Sequence, residues 1–219
     1  GCIVTESLFM LNESRQSTLN SAVEALFKSP FASCLFFNEE EVALMRNEVL
    51  ALPFRQAHSI VGKGVHQDFD VCFPAPRISS LDAVACMLED GLNRVGRVPT
   101  STKPLFESEI KFTDIAAQHY PAQSRGIGIH KDGLRYRNVV VIITLAGTSS
   151  LYVCDDREGA GRQIIDDKPG RLVLLVAPGF SGLPCSADRP LHGVDEIEEA
   201  RLSIGLRCEQ TASSRHHSP

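Results

Sequence analysis

Ala200-Arg201-Leu202-Ser203-Ile204-Gly205-Leu206-Arg207-Cys208 alternates without a break between two kinds of side chain. Consecutive residues of a strand point to opposite sides of a sheet. Leu202, Ile204, Leu206 and Cys208 therefore share one face, and Arg201, Ser203, Gly205 and Arg207 share the other. The apolar face is suited to packing on a helix or a sheet layer. The other face turns two cations, a hydroxyl and a glycine inward, which is a costly interior unless an anion meets them. The planar guanidinium fork matches a carboxylate through paired N–H···O bonds, so a carboxylate is the anion this strand calls for.

Working outward, the same period of two runs through the preceding ninety residues. Strands are expected at 112–120, 126–131, 137–145, 150–154, 163–165, 171–177, 190–194 and 200–208, separated by turn-rich pieces such as 155–161 and Lys168-Pro169-Gly170. Upstream the period is 3.6. A helical pattern occupies 17–53, with Ser21 and Glu24 spaced as a capping box and Pro30 closing the first segment. A second helix is marked by Asn38 as N-cap with Glu41 at the box position, by a stripe of Val42, Met45, Val49 and Leu52, and by Pro53 as its stop. Leu81, Val84, Ala85, Leu88, Leu92 and Val95 mark a third helix ending at Gly96. Helices first and about eight strands after is an α+β order, and it predicts a double-stranded β-helix, or jelly roll, braced by N-terminal helices. The expected organisation is a single domain over 1–219: mostly helical support and lid loops to 110, a jelly-roll core over 111–209 and a disordered tail over 210–219.

Two further segments converge on the arginine strand. His130-Lys131-Asp132 sends its histidine and its carboxylate to the same side, and His192, in Leu191-His192-Gly193-Val194, returns from a later strand nine residues before Arg201. Two imidazoles and one carboxylate on one face of a metal form the facial triad that holds Fe(II) and leaves the opposite face open. Gln118 and Tyr120 share a face of the strand just before this dyad. His119 points the other way and reads as a packed or solvent-side histidine.

This order and spacing resemble the Fe(II)/2-oxoglutarate-dependent dioxygenase superfamily over about 112–209. The resemblance implies the double-stranded β-helix fold, Fe(II) held by His130, Asp132 and His192, and 2-oxoglutarate as cosubstrate with O2. Arg201 is then assigned to the distal carboxylate of 2-oxoglutarate, with Ser203 adding a hydroxyl bond and Gly205 making room. Tyr120 resembles the tyrosine of an Asn-x-Tyr pair found before the dyad in AlkB-type and related enzymes, and Gln118 stands where those have the amide. Arg207, six residues after Arg201, is either the second arginine of that cosubstrate site or a salt bridge at the barrel mouth. The implied reaction oxidises a C–H bond, by default to an alcohol, with release of succinate and CO2. The superfamily's halogenases lack the carboxylate that Asp132 supplies, so halogenation is disfavoured.

Composition narrows the substrate. A formal net charge of −5, a pI near 5.8, three tyrosines and no tryptophan give neither a basic field nor aromatic platforms, so a nucleic-acid partner is disfavoured and a small-molecule substrate leads. The alternatives are an AlkB-type demethylase of nucleic acid or protein and a non-catalytic metal-binding jelly-roll module. The longest apolar runs are too short to span a bilayer. Seven scattered cysteines without a CxxC pair read as reduced thiols, which makes the cytoplasm the default compartment.

The substrate rim is expected from the loops at 53–79, 99–108 and 155–167. Candidate contacts are His66, Arg77, Arg125 and Arg157, each of which also reads as a solvated loop residue. His66-Gln67-Asp68 repeats the His-x-Asp pattern, but no arginine follows at a suitable spacing, so it is assigned to a surface loop or the rim of the site.

Overall fold

The computed structural model describes residues 8–96, 104–183 and 189–210. The expected tail lies outside this range apart from Gln210, as does the part of the expected rim at 99–103.

Among the described residues three helices, α1 (Glu13–Ala25), α2 (Glu39–Leu50) and α3 (Ser79–Gly96), lie among eleven strands. The α2 cap is as expected: Asn38 accepts from the Glu41 N–H and the Glu41 side chain accepts from the Asn38 N–H. The first helix differs. Its N-cap is Asn12, whose side chain accepts from Arg15 N at 2.8 Å, so Ser21 sits in the helix body. The helical reading of 17–53 also fails at β1 (Phe31–Leu35), which pairs antiparallel with β10 (Arg171–Val176) and covers its open edge. Likewise 53–79 is more than a loop. It holds β2 (Arg55–Gln56), β3 (Ile60–Val61), β4 (Val65–Asp68) and β5 (Asp70–Cys72), with β3 and β4 forming a hairpin through Gly62 and Gly64.

Two strands organise the rest. β8 (Tyr136–Cys154) and β11 (Leu191–Glu209) are each 19 residues long, and each replaces two of the short strands expected from the alternation. They pair antiparallel along both halves, Leu191 facing Cys154 at one end and Glu209 facing Tyr136 at the other. Both bend midway. Gly147 has φ +100°, and a Cβ there would lie 2.3 Å from the Ala200 carbonyl oxygen, so only glycine passes the corner; β11 answers with register shifts between Asp195 and Leu202.

The bend distributes the two strands over two layers. One layer runs β1-β10-β8-β11-β6-β5-β2 through the Ile142 half of β8 and the Ser203 half of β11, where β6 is Asp114–Tyr120. The other is built by β9 (Gln163–Ile165), the Val153 half of β8, the His192 half of β11, β7 (Gly126–His130), β4 and β3. This is the double-stranded β-helix.

Alternation sorts the core. Leu172, Leu174 and Val176 join Leu202, Ile204, Leu206 and Cys208 in the cluster beneath the helices. Val173, Leu175 and Ala177 join Tyr120, Val140, Leu151 and Val194 in the cluster between the layers. The apolar face of the last strand thus packs under the helices, and Arg201, Ser203, Gly205 and Arg207 all border the cavity between the sheets. The five described cysteines are free thiols, and burial pushes Cys34 up to about 11 and Cys208 to about 12, which makes them poor nucleophiles. Among the described residues no helix is long and apolar enough to cross a membrane.

Candidate active site

β7 ends at His130, and the chain continues through Lys131 to Asp132 in the loop that follows. The ladder places His192 of β11 opposite His130. As a result one ligand atom from each of His130, Asp132 and His192 lies within 4.8 Å of the others. Asp132 Oδ1 is 3.9 Å from His130 Nε2 and 3.6 Å from His192 Nε2, and the two rings stand 4.3 Å apart between centroids.

Each imidazole is oriented through its far nitrogen. His130 Nδ1 lies 2.8 Å from the Gly128 carbonyl and His192 Nδ1 lies 3.0 Å from the Pro190 carbonyl. A carbonyl only accepts, so Nδ1 carries a hydrogen in both rings and Nε2 is the nitrogen turned toward Asp132. Burial, followed by the neighbouring His192, holds His130 down to about 4, and Asp132 opposes this in part; Arg157 adds to the depression. His130 is therefore neutral at pH 7, the form that binds a metal. Arg189 Nη1 donates to the Asp132 carbonyl at 2.9 Å and steadies the loop.

The cluster opens onto a cavity of about 390 Å³ whose lining includes Gln118, Tyr120, Arg201, Ser203, Gly205 and Arg207. Every residue that the resemblance assigned to the metal or to 2-oxoglutarate borders this one space. Arg201 is 1% exposed. Its Nη1 donates to Asp167 Oδ2 at 2.6 Å and to Ser149 Oγ at 2.8 Å, and Thr144 Oγ1 donates to the same carboxylate oxygen at 2.7 Å. Asp167 and Ser149 are partners that the sequence reading did not identify, so part of the anion demanded by Arg201 is internal. Arg201 Nε remains buried without a partner. A buried N–H of a charged group left unmatched is costly, and a carboxylate entering the cavity would relieve it. Tyr120 Oη donates to Gln118 Oε1 at 2.7 Å, and burial raises the phenol so that it stays a neutral donor.

Arg207 makes the salt bridge: its Nε and Nη2 reach Asp114 Oδ1 at 3.0 and 2.7 Å. Tyr136, also missed from sequence, donates to Asp114 Oδ2 at 2.9 Å and turns its ring toward Arg207, 4.4 Å from centroid to guanidinium carbon. His119 points away from the cavity and packs against Phe54 with ring centroids 6.0 Å apart.

Of the four rim candidates, only Arg157 lines a cavity at the site. Arg77 is spent on α3, bonding Asp82 at 3.0 Å and Glu89 at 2.9 Å. His66 Nε2 lies 3.1 Å from the Arg125 carbonyl, and the Arg125 N–H donates to Asp68 at 2.7 Å. His66 and Asp68 thus tie β4 to the start of β7, and of this second His-x-Asp only Gln67 lines the site cavity.

The fold is the one found in 2-oxoglutarate/Fe(II) oxygenases. Among solved structures the chain superposes on a prolyl-4-hydroxylase from Pseudomonas putida with TM-score 0.62 and 16% identity, over 88% of this chain and all of that one. A prolyl hydroxylase from Trichoplax adhaerens, solved with a hypoxia inducible factor peptide fragment, gives TM-score 0.62 and 17% identity over the full length of both chains. An oxidoreductase of the 2OG-Fe(II) oxygenase family from Burkholderia pseudomallei gives 0.57 and 16%, over 93% of this chain and 94% of that one. The sequence matches no protein-family model and no curated protein.

Proposed function

We propose that this protein is an Fe(II)- and 2-oxoglutarate-dependent oxygenase that oxidises a C–H bond of a small-molecule substrate, by default to an alcohol, releasing succinate and CO2. The observation that carries the reading is a single cavity bordered both by the His130, Asp132 and His192 cluster and by the buried, incompletely paired Arg201. Iron and 2-oxoglutarate, when bound, supply the activation of O2 that oxidises the C–H bond.

The chain's own residues position and exclude. His130 and His192 offer Nε2 atoms whose direction is fixed by the Gly128 and Pro190 carbonyls, and Asp132 adds the charge that favours a divalent cation. Arg201 Nε donates to the distal carboxylate of the cosubstrate, with the Ser203 hydroxyl beside it. Asp167 holds the Nη1 side of the same guanidinium and so leaves Nε unmatched for the ligand. Tyr120 and Gln118 furnish a donor and an amide on the same wall.

The test is an anaerobic titration of the apoprotein with Fe(II) and then 2-oxoglutarate, reading the visible charge-transfer band of the chelated keto acid. The band is expected, and it should vanish in His130→Ala and His192→Ala. Arg201→Ala should keep iron while requiring more 2-oxoglutarate. Iron bound without the band would instead favour a non-catalytic metal-binding jelly roll. Succinate release then serves as the substrate screen, and peptides belong in it because the Trichoplax neighbour was solved with one.

A further inference from the structure

Beside the metal cluster a second cavity of about 400 Å³ shares Gln67, Ile127, His130 and Lys131 with the first. Its polar lining is unbalanced. Lys63 from the β3–β4 turn, Lys131 between the two ligands, Arg157 from the 155–161 turn and Arg189 ahead of β11 all border it, and no carboxylate does. None of the four makes an ion pair among the described residues; Arg189 donates to the Asp132 carbonyl, and the others have no hydrogen-bond partner.

Two acids of the neighbouring segments are committed elsewhere. Asp156 accepts from the N–H groups of Glu158 and Ala160, and Asp195 pairs with Arg162. Four cations from four separate segments therefore gather around one concavity in a chain whose net charge is −5. Like charges gathered around one concavity repel, so the arrangement favours an anion held jointly.

Resting on the oxygenase reading, we infer that this cavity is the substrate's anchoring subsite and that the substrate is a small molecule bearing a carboxylate or a phosphate. Lys63, Arg157 and Arg189 clasp the anion. The shared wall at His130 and Lys131 then directs the remainder of the molecule to the open face of the metal cluster. A small anion fits better than a nucleic-acid backbone because the four cations border one concavity and form no extended stripe, while the chain as a whole is acidic and without tryptophan.

The experiment uses the full apoprotein, isotopically labelled, titrated separately with inorganic phosphate and with acetate while backbone amide shifts are followed. Saturable shifts at Lys63, Lys131, Arg157 and Arg189 are expected, and the tighter probe identifies the anion class. Lys63→Gln combined with Arg157→Gln should weaken that probe about tenfold, since two charge contacts are lost. Shifts confined to Arg201, or unchanged affinity in the double variant, overturn the inference. So does oligothymidylate binding more than about a hundredfold tighter than phosphate, because a polyanion site would then explain the cations. The charge-transfer band, read on the same samples, reports on the oxygenase reading alone. Its presence without localised probe shifts defeats the anion site only, and its absence with localised shifts defeats the oxygenase only.

Discussion

Arg201 and Arg207 leave the same face of β11, six positions apart, and meet different surroundings. Arg201 is 1% exposed, shares Asp167 with Thr144, and keeps a buried Nε without a partner. Arg207 is 20% exposed at its side chain and has turned Nε and Nη2 onto a single oxygen of Asp114, with the Tyr136 ring beside it. The strand's alternation gives both arginines the same direction. What separates them is which acid lies opposite and which donors it engages: the bonds of Arg201 leave through Nη1 and its Nε stays unmatched, whereas Arg207 commits both Nε and Nη2 to Asp114.

The sharpest way to break this comparison is to remove Asp167. Asp167→Ala leaves a buried guanidinium without its counter-charge and should cost about 3–5 kcal/mol in chemical denaturation. Added 2-oxoglutarate should restore more stability to this variant than to the unsubstituted protein, because its carboxylate meets the orphaned cation. Equal stabilisation of the two would mean that the ligand does not reach Arg201.

A smaller effect belongs to the histidine wall opposite the arginines, through His130. His130 is lowered from 6.5 to about 4 in the folded chain, so between those values the unfolded chain takes up the proton first. The apoprotein should be fully stable with respect to this group above pH 6.5 and lose on the order of 2–3 kcal/mol as the pH falls to 4. His130→Gln should flatten that slope when denaturation midpoints are measured across the range.

Asp114→Ala should cost less, about 1–2 kcal/mol, because Arg207 is partly solvated and can turn to water. It should change the 2-oxoglutarate requirement far less than Arg201→Ala does; an equal change would place Arg207 in the cosubstrate site as well. Arg207→Lys is the mildest, within about 1 kcal/mol, since one charge contact survives while the two-donor geometry is lost.

The pairing of His130 with Asp132 and the facing of the last strand were legible because their signals are local. His130 and Asp132 are two residues apart, and Arg201 through Cys208 alternates cleanly, so side and direction follow from the pleat. Asp167 was not legible, because it reaches Arg201 across 34 positions from a short segment after β9 that carries no periodicity of its own. Tyr136 and Asp114 met Arg207 for the same reason, through tertiary pairing alone. The double length of β8 and β11 was hidden by their bends: Gly147 and the irregular stretch after Asp195 look like turns, and only the partner strand reveals that the ladder continues. Strand β1 was concealed by its helical neighbours, since its small residues acquire meaning from the free edge of β10. Asn12 lost out to Ser21 as a cap because a serine three residues before a glutamate imitates a helix start inside a helix.

The placement of β11 bears on how the protein is made. It is the last strand among the described residues, yet it lies between β8 and β6 in one layer and between β8 and β7 in the other, and it carries His192 and Arg201. During synthesis the earlier strands leave the ribosome with the central position of both sheets vacant. Docking of β11 then completes the two layers and brings His192 opposite His130 and Arg201 opposite Tyr120 in one event, so the fold and the candidate site form together.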